Sequence, residues 1–170
     1  TTHVTQTFNL PRPGGDVWPF TLRPLPLGFH RRLRERGLLP PAPPPRILRD
    51  SAGRPLRDDA GNVLTAPDTS NAAYVADLEN YHQRVAVLAL ADSLQADPHV
   101  AFDATPPTSS QPHDWINYAD ALYAELEAAG FSPGDLILLS SAVGRLSNLL
   151  GDHLQAARQN FSSPLPSATS

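Results

Sequence analysis

The side chains best suited to acid–base or metal chemistry in this chain are its histidines. A helical pair of metal ligands needs two of them four residues apart, and a zinc site needs further ligands beside that pair. No two histidines here have that spacing. Two stand next to an aspartate, but a carboxylate that orients an imidazole must reach it through space, which adjacency does not arrange. The histidines are His3, His30, His82, His99, His113 and His153.

Residue types that the chain lacks exclude several kinds of chemistry. Without cysteine it has no disulfide, thiolate nucleophile or thiolate metal site, and without lysine it has no Schiff-base residue. No nucleophile elbow, phosphate-binding loop or dinucleotide-binding fingerprint occurs. We therefore expect a protein that is not an enzyme and that has no cofactor and no metal site. A hydrolase that uses His113 with Asp114, or Asp152 with His153, is the remaining catalytic hypothesis.

Charge is distributed unevenly along the chain. All 13 basic residues are arginines, and nine of them lie between Arg23 and Arg57, where two acids leave a net charge of +7. From Asp58 to the end, three arginines and fourteen acids give −11. A basic segment followed by an acidic body predicts contact between the two, or between neighbouring copies. Nucleic acid is the alternative ligand of the basic segment, and counterion release would favour it.

We expect the basic segment to bind a partner. The stretch LGFHRRLRERG, residues 27–37, is typical of a short basic helix that ends at Gly37. A nucleic-acid recognition helix normally sits in a compact helical unit, whereas this one is flanked by other structure. An acidic surface of a protein is therefore the expected ligand. The candidate residues are Arg31, Arg32, Arg34, Arg36, Arg46, Arg49, Arg54 and Arg57.

The first half of the chain is predicted to be extended or turning. Residues 4–10 and 17–22 alternate in polarity, and the turn formers PRPGGD between them predict a β-hairpin. The LPPAPPP segment, residues 39–45, must be extended because its prolines fix φ and lack N–H donors. It is expected to be a stiff strut, with binding to an aromatic groove of a partner as the alternative.

A nine-residue phrase occurs twice in LRDSAGRPLRDDAGNVL, residues 48–64, with Leu56 shared. An aspartate near the start of each copy can accept hydrogen bonds from nearby backbone N–H groups, and Gly53 and Gly61 can adopt positive φ. The phrase therefore predicts two turns eight residues apart, in a meander or a projecting hairpin. A calcium loop would need more closely spaced oxygen ligands that end in a glutamate.

Apolar periodicity predicts three helices in the second half, over about 70–96, 114–129 and 132–160. Asp68 or Ser70 is expected to cap the first. Gly130 should end the second, and Ser132 with Pro133 should begin the third. The third also carries a face of small residues, which predicts close packing with another helix or with a partner. These residues are Ser140, Gly144, Ser147 and Gly151.

Together these elements predict an α+β fold: a small N-terminal β-hairpin and an extended Pro-rich arm on a body of three helices. We expect four regions. They are residues 1–37 (hairpin and short basic helix), 38–67 (strut and tandem-turn β arm), 68–161 (helical body) and 162–170 (extended C-terminal tail).

This order of parts resembles that of small phage tail-assembly proteins, in particular tail assembly chaperones. The resemblance covers residues 17–36, which include FTLRPL, and the helical stretch 74–160. It implies a protein that binds the long helical tape-measure protein and keeps it soluble until tail-tube subunits polymerise around it. The proline strut and the doubled turn phrase depart from that pattern, and no family residue can be assigned to a position here.

A second virion role follows from the extended segments. Proline-rich and polar stretches bury too little surface to offset their ordering entropy, so neighbouring molecules are expected to hold them. The sequence thus favours a connector, tail or capsid-associated subunit, present as a homo-oligomer or as a repeated copy in a larger assembly. Its expected partners are other phage structural proteins, and its expected location is the virion or the host cytoplasm during assembly. No apolar stretch approaches the roughly 18 residues of a membrane span, so no membrane partner is expected.

Overall fold

A computed structural model describes residues 4–162, and it describes side chains as far as residue 147. Over that range it contains two small antiparallel sheets and four α-helices, which confirms the predicted α+β class. The elements are β1 (Gln6–Pro11), β2 (Val17–Leu22), α1 (Phe29–Glu35), β3 (Pro45–Ile47), β4 (Thr65–Pro67), α2 (Ala72–Leu94), α3 (Pro112–Ala128) and α4 (Pro133–Ser162). The predicted C-terminal tail, apart from Ser162, lies outside the described residues.

The predicted N-terminal hairpin is present. Strands β1 and β2 pair antiparallel with Phe8 opposite Phe20, and a 3-10 turn at residues 13–15 joins them. Leu10, Phe20 and Leu22 are buried, because alternation along each strand puts them on the face that meets the helices. The hairpin thus packs its apolar face against the helical body.

One hydrophobic core joins the hairpin and α1 to helices α2, α3 and α4. Its fully buried centre includes Leu90, Leu122 and Leu139, one from each of these three helices. Helix α2 contributes buried residues only from Val87 onward, so its first half lies outside the core. The apolar stripe predicted for α2 is therefore only partly a core face.

Two buried polar side chains fasten the hairpin to the end of α2. The Ser93 hydroxyl donates to the Arg23 carbonyl at 2.6 Å, and the Arg23 backbone N–H donates to the Ser93 carbonyl at 3.1 Å. The Asp97 carboxylate accepts from the Thr21 N–H at 2.7 Å and from the His99 N–H at 2.9 Å. Buried polar groups are tolerated when they are paired in this way, so these bonds define how the hairpin sits.

The predicted cap of α2 is wrong by one to three residues. Asn71 precedes the helix, and its side chain accepts a hydrogen bond from the Tyr74 N–H at 3.0 Å. The carboxylate of Asp68 instead accepts from the hydroxyl of Ser70 at 2.7 Å and from its N–H at 3.2 Å. These two polar residues therefore form a local turn ahead of the helix, which leaves the capping position to Asn71.

The predicted start of α4 is confirmed. The Ser132 N–H donates to the Asp135 carboxylate at 2.8 Å, and the Asp135 N–H donates to the Ser132 hydroxyl at 3.2 Å, a capping box. Arg12 adds an ion pair to the same carboxylate at 2.6 Å and lies over the Trp18 ring, 4.0 Å from its centroid. The Ser132 N–H bond, helped by Arg12, holds the pKa of Asp135 below its ordinary value.

Because Asp135 is ionisable, the free energy of unfolding should fall as the pH is lowered through its pKa. A carboxylate whose pKa is lowered by folding stabilises the fold above its ordinary pKa of about 4, and that stabilisation is lost as the pH falls through the lowered value. We expect Asp135→Asn to reduce the free energy of unfolding at pH 7 by about 1 kcal/mol. Urea denaturation at pH 7 and at pH 3 should show the difference from wild type shrinking at the lower pH. A difference that is equal at both would contradict this role.

The doubled phrase folds as a three-way β junction, which the sequence did not predict. Residues 44–68, which we call the arm, begin and end in the β3–β4 pair, and each copy of the phrase forms one turn. At the junction the backbones of three leucines bond in a ring: Leu48 N–H to Leu64 O at 3.0 Å, Leu56 N–H to Leu48 O at 2.9 Å, and Leu64 N–H to Leu56 O at 2.9 Å. We call these three residues the leucine ring.

The two turns of the arm are copies in structure as they are in sequence. The Asp50 carboxylate accepts from the N–H groups of residues 52 and 54, and the Asp58 carboxylate accepts from those of residues 60 and 62. Gly53 and Gly61 have φ of 79° and 84°, the left-handed values that favour glycine. The repeated aspartate and glycine thus shape backbone, as predicted.

Candidate protein-interaction surfaces

The arm exposes apolar side chains. Its residues 44–68 all lie within the described range, and none of them is buried. Ile47 is 46% exposed, Leu56 40% and Leu64 38%. None belongs to the hydrophobic core, although the backbone that carries them is hydrogen-bonded in the leucine ring and the two turns. This is an ordered element whose apolar residues are left partly exposed by the described part of the chain.

The arginines of the arm do not form a basic surface. Arg49 donates to the Gly53 carbonyl at 3.0 Å, and Arg57 donates to the Gly61 carbonyl at 2.7 Å. Arg54 pairs with Asp50 at 3.4 Å, and Arg46 is exposed. The arm has four arginines and four aspartates, so its net charge is zero. The basic segment of the sequence is therefore divided between a neutral arm and helix α1.

On α1 the four candidate arginines separate into two pairs. Arg31 is exposed and lies 3.6 Å from Glu35, and Arg34 is also exposed. Arg32 and Arg36 are half-buried, because they face a cleft of about 140 Å³ between α1 and the ends of α2 and α3. Of the eight arginines named as candidates, these two share a concave site.

The wall of this cleft, which we call the α1 cleft, is aromatic. The guanidinium carbon of Arg36 lies 3.6 Å from the centroid of the Trp115 ring, a cation–π contact. Trp115 meets Tyr118 edge to face at 5.7 Å, and its indole N–H donates to the Ser109 carbonyl at 2.8 Å. Burial and the neighbouring Arg32 lower the pKa of Arg36, and burial raises the pKa of Tyr118.

The small residues predicted to share one face of α4 have different surroundings in the structure. A Cβ built on Gly144 would meet no described atom within 4 Å, so no other described element of the chain packs closely there, and packing against a partner at this residue stays a prediction. The Ser147 hydroxyl accepts from the Leu25 N–H at 3.1 Å and donates to the Val143 carbonyl at 2.7 Å, a bond to the loop after β2. The surroundings of Gly151 lie outside the described side chains.

Ser140 lines a shallow apolar groove between α2 and α4. The groove has a volume of about 380 Å³, and Ala86, Tyr123 and Leu136 also line it. Ile137, at its edge, is 66% exposed. The Ser140 hydroxyl is buried and has no hydrogen-bond partner within the described residues. The groove is a second apolar surface that is open to solvent.

The histidines do not converge on a site in the described part of the chain. His113 lies 3.1 Å from the Asn117 amide, while the neighbouring Asp114 accepts from the Ser109 hydroxyl instead. The side chains of His3 and His153 lie outside the described residues. Over the range searched, no three histidine, aspartate or glutamate side chains are grouped so that they could hold a metal ion. Nor does any described helix have the length and apolar character to cross a membrane.

Sequence reasoning missed the aromatic half of the α1 cleft. Trp115 is a buried core residue, and nothing near Arg36 in sequence indicates that the two residues meet. The available signal was the spacing of Trp115 and Tyr118, three residues apart and so on one face of α3.

Compared with protein-family models, with curated proteins and with solved structures, the chain matches none.

Proposed function

We propose that this chain is a non-enzymatic structural or assembly protein of a bacteriophage particle and that it works through protein–protein contacts. The observation that carries the proposal is the arm, an ordered element that exposes Ile47, Leu56 and Leu64. Exposed apolar residues grouped on an ordered element are typical of a contact surface. Covering each of them would contribute on the order of 1 kcal/mol to binding.

The order of the arm is what makes it suitable for docking. Binding by a flexible segment loses free energy because the segment must be ordered, often by 2–5 kcal/mol in total. In the arm, the leucine ring and the two aspartate turns already supply that order from within the chain. A neighbouring molecule would then only need to cover a surface that is already formed.

The bacteriophage part of the proposal is supported by the resemblance in the order of parts. Two versions of it differ in the fate of the protein. A connector, tail or capsid-associated subunit stays in the mature particle, whereas a chaperone of the tape-measure protein leaves it. Mass spectrometry of purified particles distinguishes these versions, since only the retained subunit is present in them.

The distribution of arginine favours a protein partner over nucleic acid. Binding to nucleic acid draws its affinity from many phosphate contacts on one basic surface. Here the arm is neutral, and only Arg31 and Arg34 are exposed on α1. An accessory role on nucleic acid remains the alternative. It predicts binding to DNA that weakens steeply as the salt concentration rises.

An aspartate in the leucine ring tests the proposal. We expect Leu56→Asp to reduce incorporation into particles, or capture of the tape-measure protein, at least about tenfold, because a charge at the contact must be desolvated. Ser51→Asp is the matched control, since it adds the same charge at an exposed turn of the same arm. Amide exchange at the three ring leucines would verify that the arm still folds. Equal incorporation of both variants, with the arm folded, would rule out the arm as the contact.

A further inference from the structure

The α1 cleft contains two arginines that lack a carboxylate partner. The ion pairs within the described residues join Arg12, Arg23, Arg31, Arg54 and Arg84 to acids, and neither Arg32 nor Arg36 is among them. The acid that lines the cleft, Asp92, is already paired with Arg23 at 3.2 Å. Two neighbouring cations of like charge in a half-buried site repel each other, and an anion between them would relieve that repulsion.

The position of Arg36 over the Trp115 ring leaves its hydrogen-bond donors available. A guanidinium is planar, and when its face lies on an aromatic ring its N–H groups still point outward in the plane. The guanidinium carbon of Arg36 lies over the Trp115 ring, 3.6 Å from its centroid. The hydrogen bond from Trp115 to the Ser109 carbonyl holds the ring in place. The cleft therefore presents an ordered fork of donors of the kind that receives a carboxylate with two parallel bonds.

Size and surrounding charge distinguish a carboxylate from a polyanion. About 140 Å³ is room for one side chain, and Phe29, Leu33 and Pro106 form an apolar wall beside the arginines. A nucleic acid would also bring its phosphates near Asp92 and the acidic body, which carries −11 from residue 58 onward. A single acidic side chain next to an apolar one fits this volume, and it brings one negative charge near Asp92 instead of several.

We propose that the α1 cleft binds an aspartate or glutamate side chain of a protein partner, with Arg32 and Arg36 receiving the carboxylate and the apolar wall receiving a neighbouring side chain. This inference rests on the proposed function in one respect, that the partner is a protein. It adds the chemistry of the contact and a second contact site distinct from the arm.

The test uses the full chain and a defined probe, the acetylated and amidated peptide Leu-Glu-Leu-Glu-Leu-Glu. Its NMR titration should shift the indole N–H signal of Trp115 and the Nε–H signals of both arginines saturably, while the same peptide with glutamine for glutamate should not. Arg36→Lys, which keeps the charge but loses the planar fork, should weaken binding at least about tenfold. Arg34→Lys, on the exposed side of α1, should bind as wild type does.

Three outcomes would overturn the inference. They are equal shifts with the glutamine peptide, no saturable shift at millimolar peptide, and tighter binding of a single-stranded oligonucleotide at the same signals. The proposed function is tested separately by incorporation of Leu56→Asp into particles. If the peptide does not bind in the α1 cleft but Leu56→Asp still blocks incorporation, only this inference is removed. If Leu56→Asp is incorporated normally, the arm is not the contact, and the peptide result for the cleft is judged separately.

Discussion

Asp97→Ala is expected to lower the free energy of unfolding by about 2–4 kcal/mol, because it leaves two backbone N–H groups without their acceptor. Those groups belong to Thr21 in the hairpin and to His99 after α2. Asp97 is 5% exposed, so water cannot easily replace the carboxylate. The Thr21 bond also joins segments 76 residues apart, so its loss should loosen the hairpin first. Urea denaturation followed by circular dichroism measures the stability, and amide exchange in β2 locates the change.

The matched control is Asp58→Ala. Asp58 also accepts two backbone N–H bonds, from Ala60 and Asn62, but it does so on the exposed arm. Water can take over both bonds there, so we expect little change in global unfolding. If the two variants lose equal stability, burial of the Asp97 bonds is not what makes them important.

Gly37→Ala has the second large expected effect, a loss of about 2–4 kcal/mol that combines backbone strain with overpacking. Gly37 ends α1 with φ of 79°, where an L side chain is strained. A Cβ there would also lie 2.8 Å from the Cβ of Pro112, the first residue of α3, and closer still to its Cγ. Thermal or urea unfolding measures the loss, and displacement of α1 should also weaken binding in the α1 cleft.

Gly130→Ala separates the two contributions. Gly130 ends α3 with φ of 88°, but a Cβ there would meet nothing within 4 Å. It should therefore show only the strain of the left-handed backbone, about 1–2 kcal/mol. Similar losses at Gly37 and Gly130 would mean that the contact with Pro112 relaxes without a penalty.

The features that the sequence predicted correctly are those set by neighbouring residues. The start of α4 at Ser132 is fixed by bonds between residues three apart in sequence, and each aspartate turn of the arm by bonds between residues two and four apart. The same holds for the apolar rows of α3, in which Trp115, Leu122 and other residues at helical spacing are buried. Side-chain hydrogen bonds and periodicity of this kind act within one or two turns of backbone, so a local reading of the chain finds them.

The features that it missed depend on which distant elements pack together. The cap of α2 was misplaced because Asp68, Ser70 and Asn71 can all accept such a bond, and only the path of the chain out of β4 selects one. The basic segment was expected to act as a single charged surface, yet in the arm four aspartates balance the four arginines; Arg54 pairs with Asp50, and Arg49 and Arg57 donate to backbone carbonyls.

By itself the sequence determined the α+β class, the three long helices, the N-terminal hairpin and the two turns of the arm. Only the tertiary structure decided that Arg36 lies on Trp115, that three leucines close a ring and that Gly144 faces open space. The reason is physical. Local bonds form between residues that the chain already holds near one another, whereas Arg36 and Trp115 meet only because burying the apolar faces of α1, α2 and α3 brings their helices together.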